Sequence, residues 1–274
     1  PWLGIDGEPL PFASDGEICD FLRNAQVVRV EDPSTPRFRS AHFRKLPDGN
    51  LVRVLREQPK QLLLAKGDVQ AYAVFRSHDE AGKYRSRAGN RILASFRDSY
   101  RNPVAAYELS RILGMRNVPP AVLREVNGKK GSVEIWIEDS VSEKERKARK
   151  LNPPNPRTIT ATAWDMAIFD NLINNVGRNS GNILYDSRWT MWYANNTKAF
   201  GRGSTLVDGK RIQKCCGPLW ARLRSMDKRL VSQTLSPYMG EQQIKHLLDR
   251  QDKIVKLIQK RIESKGEGTV ILGS

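Results

Sequence analysis

The sequence predicts an α+β chain in two parts: a strand-rich first part with one principal helix, then a mainly helical second part. Three observations lead there. Short runs rich in Val, Leu and aromatic residues, separated by tight-turn signals, fill much of residues 26–75 and 121–138. From Thr158 onward, apolar residues recur at helical spacing instead. The 274 residues, 39% hydrophobic and 28% charged, are enough to bury a substantial core, which argues against wholesale disorder. The expected boundaries are an N-terminal arm with a short helix over 1–23, a strand-rich part over 24–140 and a helical part over 141–274.

The first helix is announced by Ser14-Asp15-Gly16-Glu17, a capping-box start ahead of Ile18, Phe21 and Leu22. Strands are expected at Gln26–Glu31, Arg37–Arg44, Gln61–Ala65 and Val69–Phe75, with Lys66-Gly67-Asp68 as the tight turn between the last two. Asn102-Pro103 reads as cap and first helical residue of a helix through Ala106, Leu109 and Leu113 to Gly114. Strands Ala121–Val126 and Gly131–Glu138 follow, joined by a turn at Asn127-Gly128-Lys129-Lys130.

In the second part, Ser142-Glu143-Lys144-Glu145 is another capping box and Asn152-Pro153-Pro154-Asn155-Pro156 a stiff connector. A helix is expected over Thr158–Ile173, then a hairpin of Ile183–Tyr185 and Thr190–Tyr193 turning at Asp186-Ser187-Arg188. Leu219, Trp220, Leu223, Met226 and Leu230 mark one helix. Ile244, Leu247, Leu248, Ile254, Leu257, Ile258 and Ile262 mark a long one. These stripes are read as core. No internal repeat or low-complexity tract appears.

Composition narrows the function less. No apolar run approaches the roughly 20 residues of a membrane span. The start does not resemble a signal peptide, which favours a soluble cytoplasmic protein, with a leader removed ahead of Pro1 as the alternative. Cys19, Cys215 and Cys216 lack metal-ligand spacing and are read as reduced or buried thiols, and His42, His78 and His246 are scattered. The net charge of +16 attracts polyanions such as nucleic acid, anionic lipid or acidic protein. Three segments concentrate it. Residues 81–101 carry six basic side chains against Asp98, 142–157 carry six against Glu143 and Glu145, and 210–229 carry seven against Asp227. Arg85, Arg87, Arg91, Lys147 and Arg222 are the candidate polyanion-binding residues.

The most informative stretch is Asn174-Asn175-Val176-Gly177-Arg178-Asn179-Ser180-Gly181-Asn182-Ile183-Leu184. It resembles a kinase catalytic loop, in which an Asp is followed after four residues by an Asn that holds magnesium. Asn182 stands at the magnesium position and Gly177, five residues earlier, at that of the catalytic Asp. A second metal-binding Asp is expected thirteen residues after Asn182, where Asn195 stands within Trp192-Tyr193-Ala194-Asn195-Asn196-Thr197-Lys198-Ala199-Phe200.

Together with Ala71-Tyr72-Ala73-Val74-Phe75-Arg76 and Ala105-Ala106-Tyr107-Glu108-Leu109-Ser110-Arg111-Ile112-Leu113-Gly114, this region is similar to the atypical kinases. The resemblance is to bacterial kinase-like proteins related to the phosphatidylinositol 3-/4-kinase and secretory-pathway kinase group, from about Phe21 to Leu272. It implies a bilobal protein-kinase-like fold, a strand-rich small lobe over a mainly helical large lobe, with ATP and Mg²⁺ as cofactors. Each family position is then read in turn. Arg76 replaces the phosphate-gripping Lys and is committed to a planar fork. Pro103 stands where the helix Glu is usual, with Glu108 one turn on as its stand-in. Gly177 cannot accept a proton. Asn182 is intact, and Asn195 offers one neutral oxygen where magnesium favours carboxylate charge.

Four of the five positions are altered, so no catalytic residue is intact and a pseudokinase is expected. It would bind a nucleotide, an anionic partner or both, through Arg76 and Glu108 for the nucleotide and weakly through Asn182 and Asn195 for a metal. Two alternatives stand beside it: an active atypical kinase rewired through Glu108, Asp186 or Asp208, and a basic nucleic-acid- or assembly-binding module with a vestigial cleft.

Overall fold

Leu62 and Leu64 are fully buried while Leu63 between them is half-buried, the period-two pattern of a strand with one face on a core. In the computed structural model, which describes residues 2–32, 42–45, 51–54, 58–85 and 92–273, such strands alternate with helices in a defined order. Helix α1 (Asp15–Asn24) leads into β1 (Gln26–Glu31), β2 (His42–Lys45), β3 (Leu51–Val54), β4 (Lys60–Lys66), β5 (Val69–Arg76), β6 (Asp79–Arg85) and β7 (Ile92–Ser99). Helix α2 (Arg101–Ile112), β8 (Ala121–Val126), β9 (Lys129–Ile135), β10 (Val141–Ser142), α3 (Glu143–Ala148) and α4 (Pro156–Leu172) follow. The remainder is β11 (Ile183–Tyr185), β12 (Met191–Tyr193), β13 (Cys215–Cys216), α5 (Gly217–Arg224), α6 (Lys228–Leu235), α7 (Glu241–Lys265), α8 (Glu267–Val270) and β14 (Ile271–Leu272).

The chain divides into two compact units: residues 1–79 with 120–138, and residues 80–119 with 139–274. The first is built on an antiparallel five-stranded sheet in the order β1-β4-β5-β9-β8. Its two tight turns carry the residues their geometry demands. Gly67, first of the two residues between paired Lys66 and Val69, has φ +58°. Asn127 and Gly128, between paired Val126 and Lys129, have φ +50° and +74°, the two left-handed residues of a type I′ turn. Helix α1 is capped by Ser14, whose hydroxyl accepts from the Glu17 amide, while the Glu17 carboxylate accepts from Ala13 N–H at 2.7 Å. It buries Ile18, Cys19, Phe21 and Leu22, and Arg124 from β8 donates to the Leu22 and Ala25 carbonyls at its negative end.

In the second unit, α2 differs from expectation at its start. The helix begins at Arg101, and Asn102 does not cap it: its amide donates to the Thr197 and Ala199 carbonyls at 2.6 and 2.8 Å. Pro103 sits in the first turn, where a missing N–H breaks no helical bond. The helix closes at Gly114, φ +67°, with Gly114 N–H on Arg111 O and Met115 N–H on Ser110 O, the Schellman pattern. Helix α3 has its full capping box, and α4 starts two residues earlier than the periodicity indicated because Asn155 caps it and Pro156 fits its first position.

Two further corrections concern elements. The stripe from Leu219 to Leu230 is two helices, because the Asp227 carboxylate accepts from the Arg229 and Leu230 amides and starts α6 afresh. Leu230 is therefore exposed rather than core. Strands β6 and β7 pair within 79–99, which the sequence offered only as a basic segment. The expected strand Arg37–Arg44 lies outside the described residues except for its end in β2, which pairs with an unexpected β3. Among the described residues no helix is long and apolar enough to cross a membrane.

Candidate functional site

The last two turns of α4 are buried from Met166 to Leu172, including the polar Asp170 and Asn171. A buried carboxylate must be paired, and here the partner is eight residues on. Arg178 donates from Nε and Nη2 to both Asp170 oxygens at 2.9–3.2 Å, with side chains 6% and 12% exposed. The rest of its guanidinium reaches Asn182 O, Ala194 O at 2.7 Å and Asn196 Oδ1 at 2.6 Å. Asn175 completes the cluster, donating to Asp170 Oδ1 and Asn196 Oδ1 and accepting from Gly177 N–H at 2.9 Å.

One arginine thus ties the end of α4, the loop at Gly177 and the turn after β12. That turn is also zipped to the loop along the backbone, Phe200 N–H to Ile173 O and Val176 N–H to Lys198 O. Two residues in it, Asn195 and Phe200, hold φ +55° and +56°. Asn102 fastens the turn from α2.

Gly177 and Asn182 meet directly. Asn182 Nδ2 donates to Gly177 O at 3.1 Å, and its Oδ1 accepts from Asn179 N–H at 3.0 Å, leaving one lone pair on that oxygen. Asn195 Oδ1 accepts from the Thr197 hydroxyl, whereas the fully buried Asn196 beside it joins the arginine network. A Cβ at Gly177 would lie 3.0 and 3.1 Å from Lys198 Cβ and Cδ, so the Lys198 chain lies against the space a residue-177 side chain would enter. Among the described residues no three His, Cys, Asp or Glu side chains gather to hold a metal.

The segment after this turn is pinned by side chains. Asn171 exchanges bonds with the Asp208 backbone, Asn174 donates to Thr205 O, and Lys253 to Ser204 O. The fully buried Arg250 donates to Leu172 O at the C-terminus of α4 and to Gly203 O. Its burial among carbonyls lowers its pKa to about 10.

Of the other sequence-predicted residues, Asp186 is spent on its hairpin, accepting from Arg188 N–H, Thr190 N–H and the Trp192 indole. Asp208 starts the short 3-10 turn at Gly209–Arg211, and Glu108 is half-buried on α2. Lys147 pairs with Glu143, which burial pushes up but which its bonds to Arg146 and Lys147 hold below the ordinary range. Arg222 is exposed on α5. The Arg85 side chain, Arg87 and Arg91 lie outside the described residues.

In the first unit Arg76 is buried and its Nη1 donates to Glu134 Oε1 at 3.2 Å. On α4, Asp165 accepts from Cys216 N–H; its carboxyl is raised by burial, and the Cys216 thiol is pushed up to about 12 by burial and the Asp165 charge. All three cysteines are free thiols.

No family model and no curated protein matches the sequence. Solved structures do. A hydra Fam20 solved with sugar superposes with TM-score 0.67 at 14% identity, over 96% of this chain and 94% of its own. A Golgi casein kinase gives 0.63 at 15% identity, over 94% of this chain and 77% of its own. The same kinase with Mn and ADP bound gives 0.63, over 94% and 78%. The fold is secretory-pathway-kinase-like. At such identities the likeness carries the fold alone.

Sequence reasoning missed Asp170, Asn175, Arg178 and Asn196. A signal existed for the first: a carboxylate between Phe169 and Leu172, on a helix otherwise apolar there, needs a buried partner.

Proposed function

We propose that the chain is a pseudokinase, a kinase-fold protein that binds a nucleotide weakly, an anionic partner or both, without transferring phosphate. The observation that carries this is Gly177: the loop around it is fully braced by Asp170, Asn175, Arg178 and Asn182, yet the position for the acceptor's base has no side chain. Losing a general base typically lowers a rate by about 10²–10⁴. Asn182 and Asn195 supply neutral oxygens, and such a set does not fit tight binding of a hard divalent cation, which favours carboxylates. The manganese and ADP of the Golgi casein kinase support a nucleotide as ligand class here, with Arg76 and Glu108 as its candidate contacts.

The phosphatidylinositol-kinase side of the resemblance rests on motif spacing. The anionic-partner half rests on charge, +16 overall, with Lys147 and Arg222 as candidate contacts. The deciding experiment is radiolabelled ATP with magnesium or manganese against lipid, protein and small-molecule acceptors. Transfer at background is expected; robust turnover abolished by Asn182→Ala would instead establish a rewired kinase.

A further inference from the structure

Arg76 stands where the family places the cation that grips nucleotide phosphates, and its charge is already answered. In the β5–β9 ladder Arg76 faces Ser132 and Val74 faces Glu134, so residues 76 and 134 are diagonal neighbours on one face of the sheet. Long side chains bridge that diagonal, and these do: Arg76 Nη1 to Glu134 Oε1 is 3.2 Å, with side chains only 1% and 4% exposed. The opposite face, Ala73, Phe75, Val133 and Ile135, is wholly apolar and buried. Arg76 and Glu134 are thus a buried opposite-charge pair in the middle of a sheet. Breaking such a pair for a new ligand leaves a buried carboxylate uncompensated, a penalty the ligand must meet.

We infer that Glu134 is a specificity-determining residue that occupies Arg76 in place of a ligand's phosphates and so discriminates against polyphosphate. The inference rests on the pseudokinase reading, which places a nucleotide position at Arg76. It deepens it: the residue that would select a triphosphate tail is neutralised by its own sheet, and weak nucleotide binding follows from an internal competitor as well as from the altered metal positions. A polyphosphate offers Arg76 what Glu134 offers, a charge-assisted acceptor for a planar fork, so the two compete for one donor group.

The test is the affinity of the full chain for inorganic tripolyphosphate, by calorimetry in the absence of divalent metal. Glu134→Gln removes the charge at constant shape and is expected to tighten binding roughly tenfold or more, the worth of one charge-assisted hydrogen bond. Glu134→Asp keeps the charge but draws the carboxylate back by one methylene, and is expected to give a smaller gain. This second variant decides the matter if Glu134→Gln does not fold. The gain must vanish in Arg76→Gln/Glu134→Gln. Equal affinity in the unaltered chain and the single variants overturns the inference, as does absence of binding by any of them or a gain that survives loss of Arg76. Phosphate transfer by the unaltered chain, read separately with radiolabelled ATP, would sink the pseudokinase reading without altering this series.

Discussion

Arg178 holds more of the candidate site together than any residue of the motif itself. It binds Asp170 on both oxygens and three further acceptors from the loop and the turn after β12. Asp170→Ala leaves that guanidinium buried without its counter-charge. The expected loss is about 3–5 kcal/mol, read as a lower urea midpoint with an unchanged m-value. Asp165 is the opposite case. Its folded pKa is raised by burial above the unfolded value, so between those two values the folded chain binds more protons than the unfolded one. Stability from this group is then greatest at low pH and falls as pH rises through the raised pKa. Asp165→Asn keeps an acceptor for Cys216 N–H and is expected to abolish that slope. The stability difference, variant minus unaltered chain, should grow from acid toward neutral pH; a pH-independent difference would show that Asp165 does not titrate in this way.

At the scale of elements, the sequence was most legible where one local rule acts alone. The turns at Gly67 and Asn127-Gly128, the Gly114 stop and the Ser142 capping box all appear where their residue types demand. It was least legible where tertiary demand overrode a local signal. Asn102-Pro103 has the chemistry of a cap, but the Asn side chain was claimed by two carbonyls of the turn at 197–199. Asp227 interrupted a stripe that periodicity alone reads as continuous, and Asp227→Ala is expected to lower stability by about 1 kcal/mol by freeing the Arg229 and Leu230 amides. Gly131 carries a constraint no turn rule predicts. A Cβ there would sit 2.3 Å from Phe75 Cε2 and 2.4 Å from the Arg76 carbonyl oxygen. That oxygen is backbone, so β9 could accept the methyl only by separating from β5. Gly131→Ala is expected to destabilise by about 3 kcal/mol or more, well beyond Gly16→Ala, whose Cβ has only the Ser14 hydroxyl at 3.5 Å. Equal thermal shifts for the two variants would show that the sheet yields there freely.

At the scale of the whole chain, the five family positions are spread over both units, residue 76 in the first and residues 103, 177, 182 and 195 in the second. The first unit is assembled from 1–79 and 120–138, so Arg76 and Glu134 become neighbours only through folding. For that reason the motif spacing was readable from sequence, and the pairing that occupies Arg76 was not. The same distribution governs any attempt to restore catalysis. Gly177→Asp with Asn195→Asp returns both carboxylates, but the new Cβ at 177 must displace the Lys198 side chain, which lies 3.0 Å away at Cβ. The double variant also leaves Arg76 bonded to Glu134 and Pro103 in the first turn of α2. It is therefore expected to be less stable than the unaltered chain, by about 1–3 kcal/mol of crowding, and to transfer phosphate at background. Lys198→Ala in that setting should return the lost stability. Transfer is expected to rise above background, by about 10² or more, only when Arg76→Lys, Glu134→Gln and Pro103→Glu are added. Robust transfer from radiolabelled ATP by Gly177→Asp/Asn195→Asp alone would show that the two carboxylates are sufficient and that neither the Glu134 pairing nor Pro103 restrains the reaction.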